Sequence, residues 1–288
     1  MATDQRNILA FLGTNADFQS WVDALHAQFL AVGLVQSSDT GQLVSPCVAA
    51  RPGTSAYAGY RIWRFNDALQ ATVPIFIKVE YGIGTVADRP ALRIQCATGT
   101  NGAGTLSGQV QSAAVVCAAS ASKTTTVTLP SYASGGTGWF HLATNLDSAN
   151  TNYGLRLFIE RPSNGDGTLD GTGFWMALAG GSTAVVAANI PLSGSVPSND
   201  VSNYMFAAST PMNTSSGPNV AMWDAPIVVG GKSYSTKLLC YKHADIGELA
   251  AITAVHHGST HTLMPLGDGG GGQYTVAGAV DAVAIRWE

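Results

Sequence analysis

The segment His256–His261, which reads HHGSTH, is the sequence's one histidine cluster, and Asp268 follows it. Imidazole nitrogens and a carboxylate oxygen are ligands that a metal such as zinc takes, so His256, His257 and His261 are candidate metal ligands. Adjacent histidines on an extended segment point apart, and at most two of the three converge without further folding. The pattern favours the alternative, a solvent-facing or inter-subunit polar patch without metal.

Two glycine-rich loops match ligand-binding loops only in part. Gly99–Gly108 lacks the Gly-Lys-Ser/Thr ending of a phosphate-binding loop and leads into further β-type sequence. Asn164, Asp166 and Asp170 match part of a calcium-binding turn, but Trp175 stands where an EF-hand places its closing acidic residue. Hairpin turns account for both loops. We therefore expect no cofactor.

Catalytic groups are not paired anywhere along the sequence. Its 18 acidic residues are dispersed, and no Gly-x-Ser-x-Gly nucleophile turn occurs. Lys78 and Glu80, on one face of a predicted strand, are interpreted as a surface pair worth under about 1 kcal/mol. We expect a protein that is not an enzyme; a polysaccharide-degrading enzyme remains an alternative for which the sequence nominates no carboxylate.

Tryptophans lie on separate predicted strands. In a sugar-binding protein such rings form a platform, but large aromatic side chains also dominate ordinary cores and subunit contacts. Core or interface placement is the favoured interpretation for Trp63, Trp139, Trp175, Trp223 and Trp287.

The chain carries few charges: 14 Lys plus Arg and 18 Asp plus Glu in 288 residues, with a net charge of -4. Soluble domains average roughly a quarter charged residues, so this composition predicts a surface that lies against other subunits. No clustered basic face suits nucleic acid, and no apolar run has the roughly 20 residues that span a bilayer. The run Ile8–Leu12 is too short for a secretion signal. We interpret the four cysteines as reduced and structural.

The elements that would position these residues begin with one helix, predicted over Asp17 to Leu34. Thr14 or Asn15 can cap its start, and Gly33 ends it. It is interpreted either as a helix that covers the open face of a sheet or as a docking element. Its apolar stripe follows the helical period and comprises Phe18, Trp21, Val22, Leu25, Phe29 and Leu30. The predicted interface residues within that stripe are Phe18, Trp21, Leu25 and Phe29.

Beyond residue 40 the apolar period changes to two, which is typical of strands. Predicted strands are Tyr60–Phe65, Val73–Tyr81, Pro90–Cys96, Val110–Ala118, Thr124–Leu129, Gly138–Ala143, Leu155–Glu160, Phe174–Leu178, Ala184–Ile190, Val220–Trp223, Ile227–Val229, Tyr234–Lys242 and Ala282–Trp287. Short strands with hairpin turns predict a mainly β fold, an antiparallel sandwich or barrel-like body. The predicted organisation is a helical docking segment over residues 1–35 and a β-rich body over 36–288, with a possible sub-domain break near residue 165.

The stretch Tyr60–Gln70, continuing through Val73 to Gly84 and the Gly99–Gly108 turn, resembles the virion structural proteins of tailed bacteriophages. The likeness is strongest over residues 55–110, and its motifs are not catalytic, so no functional residue carries over. The resemblance implies a tail, baseplate or connector protein in the virion, assembled in the host cytoplasm from copies of itself and other virion proteins. A capsid decoration protein, or a glycan-binding module on a fibre that binds a host glycan, is the alternative.

Overall fold

The computed structural model describes residues 1–110, 114–117, 128–145, 154–164, 168–180, 183–189, 221–224, 227–229, 232–234, 237–242, 252–256, 259–265 and 281–287. These residues form a mainly β, sandwich-like protein with an N-terminal helix, as predicted. The strands are β1 (Ala2–Leu9), β2 (Val35–Gln36), β3 (Tyr57–Arg64), β4 (Phe76–Ile83), β5 (Pro90–Thr100), β6 (Leu106–Gln109), β7 (Ala114–Cys117), β8 (Thr128–Gly136), β9 (Trp139–Asn145), β10 (Gly154–Glu160), β11 (Phe174–Gly180), β12 (Thr183–Asn189), β13 (Ala221–Asp224), β14 (Ile227–Val229), β15 (Lys232–Tyr234), β16 (Leu238–Lys242), β17 (Ile252–His256), β18 (Ser259–Pro265) and β19 (Asp281–Arg286).

The strands form three larger sheets and one hairpin. Sheet I has the order β1-β8-β9-β10-β11-β12, sheet II the order β2-β3-β4-β5-β6 with β7 also paired to β5, and sheet III the order β13-β16-β19-β18-β17. Strands β14 and β15 pair with each other. The chain divides into two compact units, Met1–Phe158 with Leu178–Val185, and Ile159–Ala177 with Val186–Glu288. The predicted break near residue 165 lies at residues 165–167, outside the described residues.

Helix α1 spans Asn15–Ala31, so it begins and ends earlier than predicted. Thr14 is the N-cap: its hydroxyl accepts the backbone N–H of Asp17 at 3.1 Å, and the Asp17 carboxylate accepts that of Thr14 at 2.9 Å. This capping box satisfies two N–H groups that the helix itself leaves without partners. Gly33 has φ +90, which an L side chain adopts only with strain, and it ends the helix. Among the described residues, no helix is long and apolar enough to cross a membrane.

In the first unit, α1 packs between sheet I and sheet II. The Phe29 ring lies 5.1 Å from that of Trp63 in sheet II and 5.3 Å from that of Phe140 in sheet I. Gln28 fixes the helix to sheet I, because its amide donates to the Ser131 carbonyl at 3.0 Å and accepts the Ser131 hydroxyl at 2.7 Å. The core of this unit therefore lies on both sides of the helix.

The structure corrects the prediction for residues 1–35. Ala2–Leu9 is a strand rather than part of a helical segment, and it pairs antiparallel with β8, from Ala2 opposite Gly135 to Leu9 opposite Thr128. A polar strand such as this has no apolar period, so its pairing with a distant strand decides its structure. Tyr234–Lys242, predicted as one strand, comprises the end of β15 and all of β16.

In the second unit, sheet III is antiparallel wherever its register is described. Strand β16 pairs with both β13 and β19, and β18 pairs with both β17 and β19. The carboxylate of buried Glu160 accepts the backbone N–H of Lys237 at 2.9 and 3.1 Å. That buried charge is therefore hydrogen-bonded within its own unit.

Candidate functional site

A long connection without helix or strand lies between β2 and the bridge of Thr54 with Ile83. We call residues 37–53 the strap loop. Loops of this length without their own secondary structure are uncommon in compact domains and often carry function. Ser45 and Pro46 are joined by a cis peptide bond near its middle.

Polar side chains on one face of α1 hold the far half of the strap loop. Asp23 accepts the backbone N–H of Cys47 at 2.8 Å, and the Gln19 amide donates to the Ala49 carbonyl at 3.1 Å. Asn15 accepts the backbone N–H of Arg51 at 3.0 Å. Residues four apart share a helix face, so the loop runs along the helix toward its N-terminus.

Arg61 of β3 binds the half of the strap loop that directly follows β2. Its guanidinium donates to the carbonyls of Leu43 at 3.1 Å and Val44 at 2.6 Å. It also lies 3.3 Å from the Asp23 carboxylate, with 0% of the Arg61 side chain and 30% of the Asp23 side chain exposed. Because the arginine is fully buried, the loop carbonyls and the carboxylate satisfy a charge that would otherwise be costly.

Burial and the same arginine alter the acid–base behaviour of neighbouring groups. Burial, with a further contribution from the Arg61 charge, lowers the pKa of His26, and the Asp23 carboxylate opposes this only in part. Burial raises the pKa of Tyr81 to about 12. His26 is therefore neutral and Tyr81 protonated at neutral pH, and Cys96 stays a thiol because burial raises its pKa.

The strap loop presents apolar side chains to solvent. Val44 is 57% and Val48 76% exposed, and Pro46 between them is exposed. Leu30 is 47% exposed, and at 3.6 residues per turn it lies on the helix face of Gln19 and Asp23, roughly two turns beyond Asp23. We call the exposed strap-loop residues Val44, Pro46 and Val48 the apolar strip. No charged residue lies between Asp39 and Arg51 in the sequence.

The start of the strap loop is fixed to the turn between β5 and β6. The Asp39 carboxylate accepts the Ser37 hydroxyl at 2.7 Å and the backbone N–H of Gly104 at 3.2 Å. Burial raises the pKa of Asp39, but hydrogen bonds from Ser37, Thr100 and Gly104 outweigh it and the pKa is lowered. This turn within Gly99–Gly108 is a hairpin closed by the protein's own groups, as the hairpin interpretation predicted.

The predicted interface residues of the helix lie in the protein's own core. Phe18, Trp21 and Leu25 are 0% exposed, and Phe29 is 1% exposed. Trp21 contacts Tyr81 of sheet II, and Phe29 contacts rings of both sheets. Because all four side chains are covered within the chain, they present no surface to another subunit. Apart from Leu30, which is 47% exposed, the predicted stripe is a buried face, and its assignment to docking is corrected.

The histidine cluster lies only partly within the described residues. His256 ends β17, opposite Ser259, and His261 in β18 is opposite Ala254. His257 lies outside the described residues. Among the residues the structure describes, no group of three or more His, Cys, Asp or Glu could hold a metal ion. Neither the favoured metal-free polar patch nor the alternative metal site at His256, His257 and His261 is tested by the described residues.

Lys78 and Glu80 were predicted to pair with each other, but each binds another group instead. Glu80 binds Arg93 on the neighbouring strand, and the Arg93 guanidinium lies 4.7 Å from the Tyr57 ring centroid. Lys78 donates to the Gly104 carbonyl at 2.9 Å. Glu80 therefore joins β4 to β5, and Lys78 joins β4 to the turn between β5 and β6.

The structure also describes several of the tryptophans, the turn at Asn164 and two of the cysteines that the sequence analysis considered. Trp63, Trp139 and Trp175 are buried, in agreement with the core interpretation. Asn164 donates its backbone N–H to the Thr168 carbonyl at 2.8 Å, as a hairpin turn does, while Asp166 lies outside the described residues. Of the cysteines, Cys47 and Cys96 are described as free and buried, as expected.

A pocket of about 290 Å³ lies beyond the C-terminal end of α1. Its walls include Val32, Leu34, Phe65, Gly135 and Trp139, and no ionisable side chain lines it. Ligand pockets span roughly 300 to 1,000 Å³, so this one is at the small limit.

The strap loop and the apolar strip were missed by sequence reasoning. The available signal was the uncharged segment between Asp39 and Arg51, with exposed valines on both sides of Pro46. No protein-family model matches the chain, and comparisons with curated proteins and with solved structures also give no match.

Proposed function

We propose that this protein is a structural component of a tailed bacteriophage virion, in the tail, baseplate or connector region, that acts through subunit–subunit contacts. The observation that supports this most is the apolar strip on a strap loop held in place along its length. Such anchoring suits a loop that presents a fixed surface to a neighbouring subunit, because preorganisation lowers the entropy cost of association.

The polar groups around the strap loop support a geometric role. Arg61, Asp23 and Asp39 are all engaged in bonds that fix the loop or an adjacent turn. None lines the pocket beyond the C-terminal end of α1. These side chains fix the backbone of the strap loop and of the adjacent turn, as a scaffold protein requires.

The low charge of the chain supports the same proposal. Burying apolar surface between subunits is worth roughly 25 cal/mol per Å² before ordering costs are subtracted. A surface with few ions loses little in desolvation when it is covered. Such a chain suits permanent contacts better than free diffusion.

The experiment is to purify phage particles from the source culture, quantify this chain by mass spectrometry and locate it by antibody labelling. We expect a fixed copy number per particle and label at one structural position. Label on the tail or baseplate supports the proposal, and label over the capsid surface supports the decoration alternative. A chain that is abundant in infected cells and absent from purified particles overturns both.

A parallel glycan array with the purified chain separates scaffolding from recognition. The structural proposal predicts no saturable sugar binding. Saturable binding by a monodisperse monomer would favour the glycan-binding alternative.

A further inference from the structure

We propose that His26 is a pH-sensitive switch for the strap loop: protonation of its imidazole opens the loop locally while the sheets stay folded. The proposal goes beyond the proposed function and does not depend on it. It stands on the contacts of Asp23 and His26 on α1 and of Arg61 on β3, all in the first compact unit. Because the strap loop carries the apolar strip, the protonation state of His26 decides whether the strip is held in place.

Asp23 is the side chain on which the closed loop depends. One of its carboxylate oxygens accepts the backbone N–H of Cys47 at 2.8 Å. The other lies 3.3 Å from the Arg61 guanidinium and accepts the Ser45 hydroxyl at 3.4 Å. Both oxygens are therefore engaged. A further cation can bind this carboxylate only by competing with the loop or with Arg61.

His26 lies where it can compete for Asp23. The two residues are three apart on α1 and share a helix face, and the His26 ring centroid lies 5.2 Å from that of Trp63 on β3. The Nδ1 atom of His26 is buried and has no hydrogen-bond partner among the described residues. A neutral imidazole has one nitrogen without a proton, whereas an imidazolium carries a donor on both. Protonation therefore creates an N–H that needs an acceptor, and Asp23 is the neighbouring carboxylate.

The charges around His26 act in the same direction. Burial and the Arg61 guanidinium lower the pKa of His26 from 6.5, and Asp23 opposes them only in part. Tyr81 of β4, whose ring centroid lies 6.0 Å from the Arg61 guanidinium carbon, stays neutral because burial raises its pKa to about 12. The strap loop adds one titratable side chain between its two charged residues, the thiol of Cys47. An imidazolium at position 26 therefore meets a like charge in Arg61.

Opening of the loop relieves that repulsion. The Arg61 side chain is 0% exposed, and its guanidinium donates to the Leu43 and Val44 carbonyls of the loop. When these carbonyls move away, water reaches the guanidinium and screens its charge from His26. The open loop therefore takes up a proton on His26 more readily than the closed loop does. A proton that binds the open state more tightly shifts the population toward that state.

The test is site-resolved hydrogen exchange of the full chain at pH 7.5 and pH 5, with each rate divided by the intrinsic rate at the same pH. We expect the opening equilibrium constant of the Cys47 amide to rise by about threefold to thirtyfold at pH 5, the upper limit being set by a histidine pKa of 6.5 in the open state. The Ile77 amide in the central strand β4 should keep its protection. The Gly104 amide should also keep it, because the pKa of its partner Asp39 is lowered from 3.8.

Two variants assign the effect to His26. His26→Phe keeps a ring against Trp63 and removes the titration, so its Cys47 amide should be equally protected at both pH values. His26→Gln keeps a polar side chain without the charge and should give the same result. The matched control is His261→Phe, a change in the second unit that should behave as the wild type does. Circular dichroism and thermal melting establish that each variant is folded at pH 5.

Three results would overturn the proposal. The first is a Cys47 opening equilibrium constant that is the same at pH 7.5 and pH 5 in the wild type. The second is a rise at pH 5 that both His26→Phe and His26→Gln retain. The third is a loss of protection that Ile77 shares with Cys47, since that would be unfolding of the whole unit rather than opening of the strap loop.

Discussion

Asp23 on helix α1 accepts the backbone N–H of Cys47 in the strap loop at 2.8 Å. The same carboxylate lies 3.3 Å from the buried guanidinium of Arg61, which binds the Leu43 and Val44 carbonyls. One side chain thus joins the helix, the sheet and the loop. The position of the apolar strip depends on it.

Replacing Asp23 with alanine should loosen the strap loop and lower the free energy of unfolding by about 2 kcal/mol, because Arg61 loses its counter-charge while it stays buried. Urea unfolding measures the loss, and hydrogen exchange should show a less protected Cys47 amide. The control is Asp4→Ala, which removes a part-exposed ion pair with Arg6 and should cost under about 1 kcal/mol. Equal losses in the two variants would contradict the joining role of Asp23.

Phe29→Ala should be among the most destabilising single changes in the first unit, at about 3 to 5 kcal/mol. The Phe29 ring is 1% exposed and contacts aromatic rings of both sheets. The adjacent Leu30→Ala is the matched control, because Leu30 is 47% exposed and its removal should change the free energy of unfolding by no more than about 0.5 kcal/mol. Denaturant unfolding of both variants measures the contrast, and comparable losses would mean that the helix does not pack between the sheets.

The apolar stripe of α1 could be read from the sequence because spacings of three and four reflect burial within one helix. The same rule included Leu30 wrongly. Leu30 shares the helix face of Gln19 and Asp23, and only the path of the strap loop decides which turns of that face are covered. The helical period therefore predicts which residues share a face of the helix, but not which of them a segment distant in the sequence covers.

Strands with alternating burial were also predictable, and β4 is the clearest case. Ile77, Val79 and Tyr81 are buried while Lys78 and Glu80 on the other face are partly exposed, as the period of two predicted. Strand β1 was not predictable, since its polar residues acquire structure from β8, more than a hundred residues away. The strap loop was missed for the same reason, because its anchors, from Asn15 to Arg61, lie outside the loop sequence.

His26 should make stability depend on pH. Its pKa in the folded protein is lowered from 6.5 by burial and by Arg61, so between the two values the unfolded chain binds the proton and the folded protein does not. The free energy of unfolding should therefore fall as pH decreases from about 7 toward 5. Asp39 acts in a separate window, because its stabilisation is lost only as pH falls below 3.8.

The measurement is urea unfolding at several pH values between 5 and 7.5 for the wild type and for His26→Phe. Phenylalanine preserves a ring against Trp63, whose centroid lies 5.2 Å from that of His26, and removes the titration. The variant should lose the part of the pH slope that His26 supplies. Parallel slopes in the two proteins would show that His26 does not titrate differently on folding.

Gly104→Ala should destabilise the protein more than Gly102→Ala in the same turn. Both glycines have positive φ, at +85 and +76, so each variant carries about 1 to 2 kcal/mol of backbone strain. At Gly102 an added Cβ meets nothing within 4 Å, whereas at Gly104 it would lie 1.9 Å from the Tyr60 hydroxyl. Tyr60 cannot easily withdraw, because that hydroxyl donates to the Thr40 carbonyl at 2.7 Å and the Lys78 ammonium lies 4.3 Å from its ring centroid.

A double-mutant cycle isolates the clash from the strain. In a Tyr60→Ala background the ring is gone, so the cost of Gly104→Ala should fall to that of Gly102→Ala, while the cost of Gly102→Ala should stay the same. The free energy of unfolding is measured for all members of the cycle. Because Tyr60 also ties the strap loop to this turn through Thr40, the Gly104→Ala variant should increase hydrogen exchange at the start of the loop as well. A cost at Gly104 that Tyr60→Ala does not reduce would place its origin in the backbone alone.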